Sequence, residues 1–189
     1  MVNHKTCKAI DDPGHAHALT FSSYKRQRFL SREQSCLWTI EAIRRATIKH
    51  RFHLWAYVLM PEHVHLLICP IEHSYSTSAF LKSVKKSVAN RAVGFVRLNA
   101  PAFLDRMADR QPNGSVAYRF WQRARGYDRN LWKPRYVSEM IDYIHLNPVR
   151  RGLCQRPEDW AWSSAADYAK VRNGPLKIDF ESLPEDPRP

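Results

Sequence analysis

Apolar positions change period several times along the chain, and the changes mark out its elements. Residues 15–23 (HAHALTFSS) alternate and run into a basic turn, which predicts a first strand. Residues 33–50 follow Ser31, a candidate cap, and carry Leu37, Ile40, Ile43 and Ile48 at roughly helical spacing. Residues 52–60 (FHLWAYVLM) are aromatic and β-branched, a turn falls at Pro61 and Glu62, and residues 63–69 (HVHLLIC) follow before Pro70. That is a hairpin with a short connection. Residues 78–99 predict a second helix, with Phe80, Leu81, Val84, Val88, Val93 and Val96 as its apolar stripe. Lys82, Lys85, Lys86, Arg91 and Arg97 fall on its other face. Residues 101–115 read as a loop, 118–122 as a short strand, and 137–147 as a helix. That helix should stop near Pro148, because proline disfavours the helical conformation in the residue before it.

The order β-α-β-β-α-(β)-α, with antiparallel pairing in its middle, predicts an α+β class fold. Its expected architecture is a ferredoxin-like antiparallel sheet with helices packed on one face. Val64, Leu66 and Ile68 would then face the core and leave His63 and His65 exposed. The 189 residues fit one domain. Residues 1–14 read as a flexible lead-in, 15–170 as the domain, and 171–189 as a C-terminal tail that could be disordered.

Charge narrows the partners. The formal net charge is +12 and the sequence pI about 9.8, which points to polyanions, above all nucleic acid. Residues 175–189 hold Lys177 and Arg188 against Asp179, Glu181, Glu185 and Asp186, so the excess lies in the preceding body. Cys7, Cys36, Cys69 and Cys154 are scattered and form no CxxC pair, which argues against a zinc ribbon and a disulfide framework. With no signal-peptide core and no apolar run near the ~18 residues of a membrane span, the expectation is a cytoplasmic protein without a membrane partner.

Two features could carry chemistry. His63 and His65 lie two apart on a strand, so their imidazoles project from one face like a pair of ligands on one metal. The bland alternative is two polar residues on a solvent-facing strand. A third ligand is needed, and the stretch DYIHLNPVRRGL (142–153) offers it: Tyr143 and Asn147 lie four apart on a helix and share a face. In this reading His63, His65 and Asn147 hold a metal that polarises a phosphodiester, and Tyr143 attacks phosphorus. Tyr143 as a buried tyrosine and Asn147 as a helix cap remain the alternative. Tyr136 is the rival nucleophile and Tyr127 a more distant one, while His145 falls on another face as a phosphate contact or a surface residue. Around this helix Arg119, Arg123, Arg125, Arg129, Lys133, Arg135, Arg150, Arg151 and Arg156 interleave with Phe120, Trp121, Tyr127 and Trp132. Cations beside flat rings suit single-stranded nucleic acid, although Phe120 and Trp121 read as core material.

These residues resemble the REP-associated tyrosine transposases, a branch of the HUH single-tyrosine transposases of small bacterial insertion sequences. The resemblance rests on VLMPEHVHLLI (58–68), LKSVKKSVAN (81–90), FWQRARGYDRNL (120–131), DYIHLNPVRRGL (142–153) and DWAWSSAADY (159–168), in that order. It implies a bacterial transposase and endonuclease that cleaves and rejoins single-stranded DNA at hairpin repeats through a 5′-phosphotyrosine, with magnesium or manganese as cofactor. By motif match His63 and His65 fall on the metal pair and Tyr143 on the nucleophile. Asn147 takes the place of a glutamine in the insertion-sequence branch. Lys82, Lys85 and Lys86 match a helix expected to grip DNA, and Arg123, Arg125, Arg129, Arg150 and Arg151 complete the expected DNA surface. The histidines precede the tyrosine, the reverse of conjugative relaxases. A replication-initiator nickase and a nucleic-acid-binding protein that has lost catalysis are the alternatives. The branch is expected to be monomeric, with a homodimer as the other possibility.

Overall fold

In the computed structural model, which describes residues 11–123 and 126–185, the expected hairpin forms one side of a four-stranded antiparallel sheet. Strands β1 (Ala16–Ser22), β2 (Phe52–Met60), β3 (His63–Pro70) and a short strand at Tyr127–Leu131 are ordered β2-β3-β1 with the last outside β1. Helices α1 (Glu33–His50) and α2 (Thr77–Asn99) make the two crossovers. This is the ferredoxin-like arrangement, an α+β single domain. Residues 104–118 add a short helix α3 (Leu104–Met107) and a small hairpin of β4 (Ala108–Arg110) and β5 (Val116–Tyr118), so the fourth strand of the main sheet is β6. The reading of 101–115 as a loop and of 118–122 as a strand is corrected accordingly. β6 is mixed in polarity, an edge strand held by backbone bonds to β1, and such bonds leave no mark on side-chain pattern.

Helices cover both faces of the sheet, not one. Leu19, Phe21, Leu54, Tyr57, Leu66 and Ile68 pack with α1 and α2. Ala16, Ala18, Trp55, Val58, Met60 and Leu67 pack on the other side with Val137, Ile141 and Ile144 of α4 (Pro134–Arg150). The continuous apolar run of β2 is the sequence sign of a strand covered twice. α4 also passes through Pro148 before ending at Arg150. Proline there removes the donor to the Ile144 carbonyl and crowds it, and the helix runs only two residues further. At its other end Pro134 opens the helix, where a missing N–H costs nothing. Arg32 rather than Ser31 occupies the N-cap of α1, and Ser76 caps α2 by accepting from the Ala79 N–H.

The segment after residue 171 is packed as far as residue 185. Leu176 and Ile178 are buried in the main core, the Leu54 N–H donates to Asp179 Oδ2 at 3.0 Å, and Trp55 Nε1 donates to Ser182 Oγ at 2.8 Å. Residues of the DWAWSSAADY motif cover the rest of that edge: Leu59 N–H donates to Trp162 O at 2.8 Å and Ser164 N–H to Tyr57 O at 3.1 Å. The outer edge of β2 is thereby closed to further strands. Most of the lead-in (1–10), Cys7, Arg125 and residues 186–189 lie outside the described residues. Cys36, Cys69 and Cys154 are free thiols. Among the described residues no helix is long and apolar enough to cross a membrane.

Candidate active site

His63 and His65 do share a face of β3, but it is the face that α4 covers. Both are buried, at 9% and 7% exposure, so the expectation that they stand open to solvent is corrected. Each ring is fixed through one nitrogen. His63 Nδ1 lies 3.1 Å from Glu62 Oε1, and His65 Nδ1 lies 2.7 Å from Thr20 Oγ1 on β1. The other nitrogens converge, with Nε2 of His63 and Nε2 of His65 3.0 Å apart. Two adjacent ligands of an octahedral ion at ~2.1 Å would sit about 3 Å apart, so the pair fits a divalent cation. Burial lowers the pKa of His63, against the pull of Glu62, and lowers that of His65 to about 3. Both rings are neutral at neutral pH and have lone pairs to give. Among the described residues no group of three His, Cys, Asp or Glu could hold a metal, so a third protein ligand must be of another type.

Tyr143 stands beside this pair. Its ring centroid is 5.5 Å from that of His65 with the planes at 82°, and its side chain is partly exposed. The Arg150 guanidinium lies 5.5 Å from the tyrosine ring. Asn147 is buried one turn on, and its Nδ2 donates to the Tyr143 carbonyl at 2.8 Å, which leaves the amide oxygen as the free end. A cleft of about 340 Å³ opens from His65 and Tyr143 along the sheet, lined also by Thr20, Tyr127, Arg129, Tyr136 and Glu139. All three tyrosines considered from the sequence line this one cleft. Tyr136 is flanked by Arg129 and Lys133, whose charges lie 5.9 and 5.8 Å from its ring.

The expected DNA residues separate into groups. Arg129 lines the cleft, and Arg150 lies against the ring of Tyr143, which also lines it. Arg151 stays at the surface but is tied down, its Nη1 donating to the buried Glu62 Oε1 at 2.9 Å. Arg123 pairs with Asp109 of the small hairpin at 3.2 Å. Lys82, Lys85 and Lys86 lie on α2, across the sheet from the cleft. Lys82 and Lys86 are exposed, whereas Lys85 donates to the Gln122 carbonyl at 3.2 Å and is lowered by burial to about 8. His145 is neither a surface residue nor placed to meet phosphate: it is buried, bonds Ser164 Oγ at 2.8 Å and packs on Tyr168. Phe120 and Trp121 are core residues, as expected. Thr20 and Glu62 were not singled out in the sequence. Glu62 had one signal, a carboxylate adjoining a ligand-type histidine; Thr20 had none.

No protein-family model matches the chain. It is 27% identical to the "REP-associated tyrosine transposase" of Escherichia coli (strain K12) over 153 residues, covering 79% of this chain and 77% of that one. A solved structure described as a REP-associated tyrosine transposase bound to a REP hairpin superposes with a TM-score of 0.65 at 20% identity, over 95% of this chain and 96% of that one. The resemblance carried by the motifs is borne out by both comparisons.

Proposed function

We propose that the chain is a metal-dependent DNA transposase that cleaves and rejoins single-stranded DNA at hairpin repeats, with Tyr143 as nucleophile. One observation carries this reading: a partly exposed tyrosine, with Arg150 against its ring, meets a buried pair of convergent imidazoles beside a cleft lined by Arg129. The likeness to a transposase that binds a hairpin supports the substrate class.

His63, His65 and the amide oxygen of Asn147 would hold magnesium or manganese, which when bound supplies Lewis-acid polarisation of the phosphodiester. Two imidazoles suit manganese better than the harder magnesium, so manganese is the better probe. Arg129 and Arg150 hold the strand along the cleft by its phosphates. The Tyr143 oxygen bonds to phosphorus as the bond to the 3′-oxygen breaks. The phenolic proton goes to solvent and the departing 3′-oxygen takes one back. A 5′-phosphotyrosine and a free 3′-hydroxyl result. Attack by another 3′-hydroxyl reverses the exchange, so the phosphoester bond is conserved and no nucleotide cofactor is required.

The test is a covalent adduct between the full chain and hairpin-bearing single-stranded DNA in manganese, resolved on a denaturing gel. Tyr143→Phe is expected to abolish the adduct, while Tyr136→Phe and Tyr127→Phe retain it. An adduct that survives Tyr143→Phe and disappears in Tyr136→Phe reassigns the nucleophile. No adduct in the unmodified chain with any hairpin leaves a binding protein without catalysis.

A further inference from the structure

Metal-bound imidazole gives its lone pair at the ligating nitrogen, so its other nitrogen must carry the proton and find an acceptor. For His63 that acceptor is the Glu62 carboxylate at 3.1 Å, and for His65 it is the Thr20 hydroxyl at 2.7 Å. The two acceptors differ in kind. A carboxylate can only accept, so Glu62 admits a single neutral tautomer of His63, the one with Nε2 bare. A hydroxyl both donates and accepts, so Thr20 tolerates either tautomer of His65. Glu62 is also held in place. Its Oε1 takes a second bond from Arg151 at 2.9 Å, and Arg151 is the C-cap of the helix that carries Tyr143. Glu62 therefore ties the turn before β3 to the end of α4.

We propose that Glu62 and Thr20 are positioning residues for the histidine pair, with Glu62 fixing His63 as the preset ligand and Thr20 leaving His65 adaptable. Arg151 acts on the same site through Glu62, as a clamp between the histidine strand and the tyrosine helix. This rests on the reading of His63 and His65 as metal ligands given above.

Manganese titration calorimetry on the full chain, without DNA, tests it. Glu62→Leu and Thr20→Val are each expected to weaken manganese binding roughly 10- to 100-fold, and Thr20→Ser, which restores the hydroxyl, to return it close to the starting affinity. Nitrogen NMR of the metal-free chain should find His63 protonated on Nδ1, with that tautomer losing dominance in Glu62→Leu. Should Glu62→Leu fail to melt cooperatively, Glu62→Gln is read in both measurements, with a smaller loss in the same direction. The proposal is overturned if His63→Ala loses manganese while Glu62→Leu and Thr20→Val bind it as the unmodified chain does. It is overturned equally if His63 carries its proton on Nε2. If His63→Ala and His65→Ala both bind manganese normally, the metal reading of the site is what fails, and the positioning roles fall with it.

Discussion

His65 and Tyr143 meet edge to face, their ring centroids 5.5 Å apart and their planes at 82°. One comes from the second strand of a hairpin and the other from the last long helix. What brings them together is apolar packing: Ile141 and Ile144 of α4 against Val58, Met60 and Leu67 of the sheet. The separation of the proposed nucleophile from the proposed metal pair is thus set by a hydrophobic layer that takes no part in chemistry.

Removing the metal should separate cleavage from binding. Chelation, or His63→Ala in manganese, is expected to lower strand cleavage by roughly 100-fold or more, because Lewis-acid stabilisation of the transferring phosphoryl group is lost. Hairpin affinity measured in chelator should change by less than about threefold, since phosphate contacts dominate it. A parallel collapse of binding would mean that the histidines are part of the DNA surface.

Salt dependence distinguishes the two basic regions. Arg129→Ala and Arg150→Ala, at the cleft, should each reduce the slope of log affinity against log salt by about 1 for single-stranded DNA. The double change Lys82→Ala and Lys86→Ala lies across the sheet from the cleft. It should weaken hairpin DNA more than an unstructured strand, because only a hairpin extends far enough to reach both layers. Fluorescence anisotropy across a salt series gives both slopes.

Acid should destabilise the protein through His145. Burial lowers its pKa from 6.5 to about 4, so between those values the unfolded chain binds a proton that the folded chain refuses. The group contributes stability above pH 6.5 and loses it as pH falls towards 4, by at most about 3 kcal/mol. His63 and His65 shift in the same direction. His145→Leu should therefore make the melting temperature fall less steeply between pH 7 and about pH 4.5 without flattening it. An unchanged profile would mean that the ring takes up its proton equally readily in the folded and unfolded chain.

Gly126 has a positive φ of 91° and approaches the Thr20 carbonyl so closely that a Cβ would overlap it. Gly126→Ala should cost roughly 2 kcal/mol or more, combining the backbone conformation with the collision. Because Thr20 holds His65, the same change should also weaken manganese binding. A denaturant titration beside the calorimetry reads both effects.

The sequence made particular parts of this legible. The helix at Glu33–His50 and the strand at Phe52–Met60 match their expected limits, since each has a strong period or a dense apolar run. The face shared by His63 and His65 also followed from period two, and the packing of Phe120 and Trp121 from their size. Strand β6 was not legible. YDRNL is mostly polar, and its place comes from backbone pairing with β1, which any sequence can supply. The pairing of Arg151 with Glu62 was not legible either, because the two are distant in the chain.

By itself the sequence determined the ferredoxin-like order of elements and the common face of the two histidines. It also set the four-residue spacing that couples Tyr143 to Asn147, because these depend on local period. Only the tertiary structure decided that α4 covers the histidine face and buries it, that three tyrosines share one cleft, and that Thr20, Glu62 and Arg151 hold the site. Local period fixes which side of a strand a residue takes. What lies over that side depends on where distant apolar surfaces pack to escape water, and no local pattern encodes it.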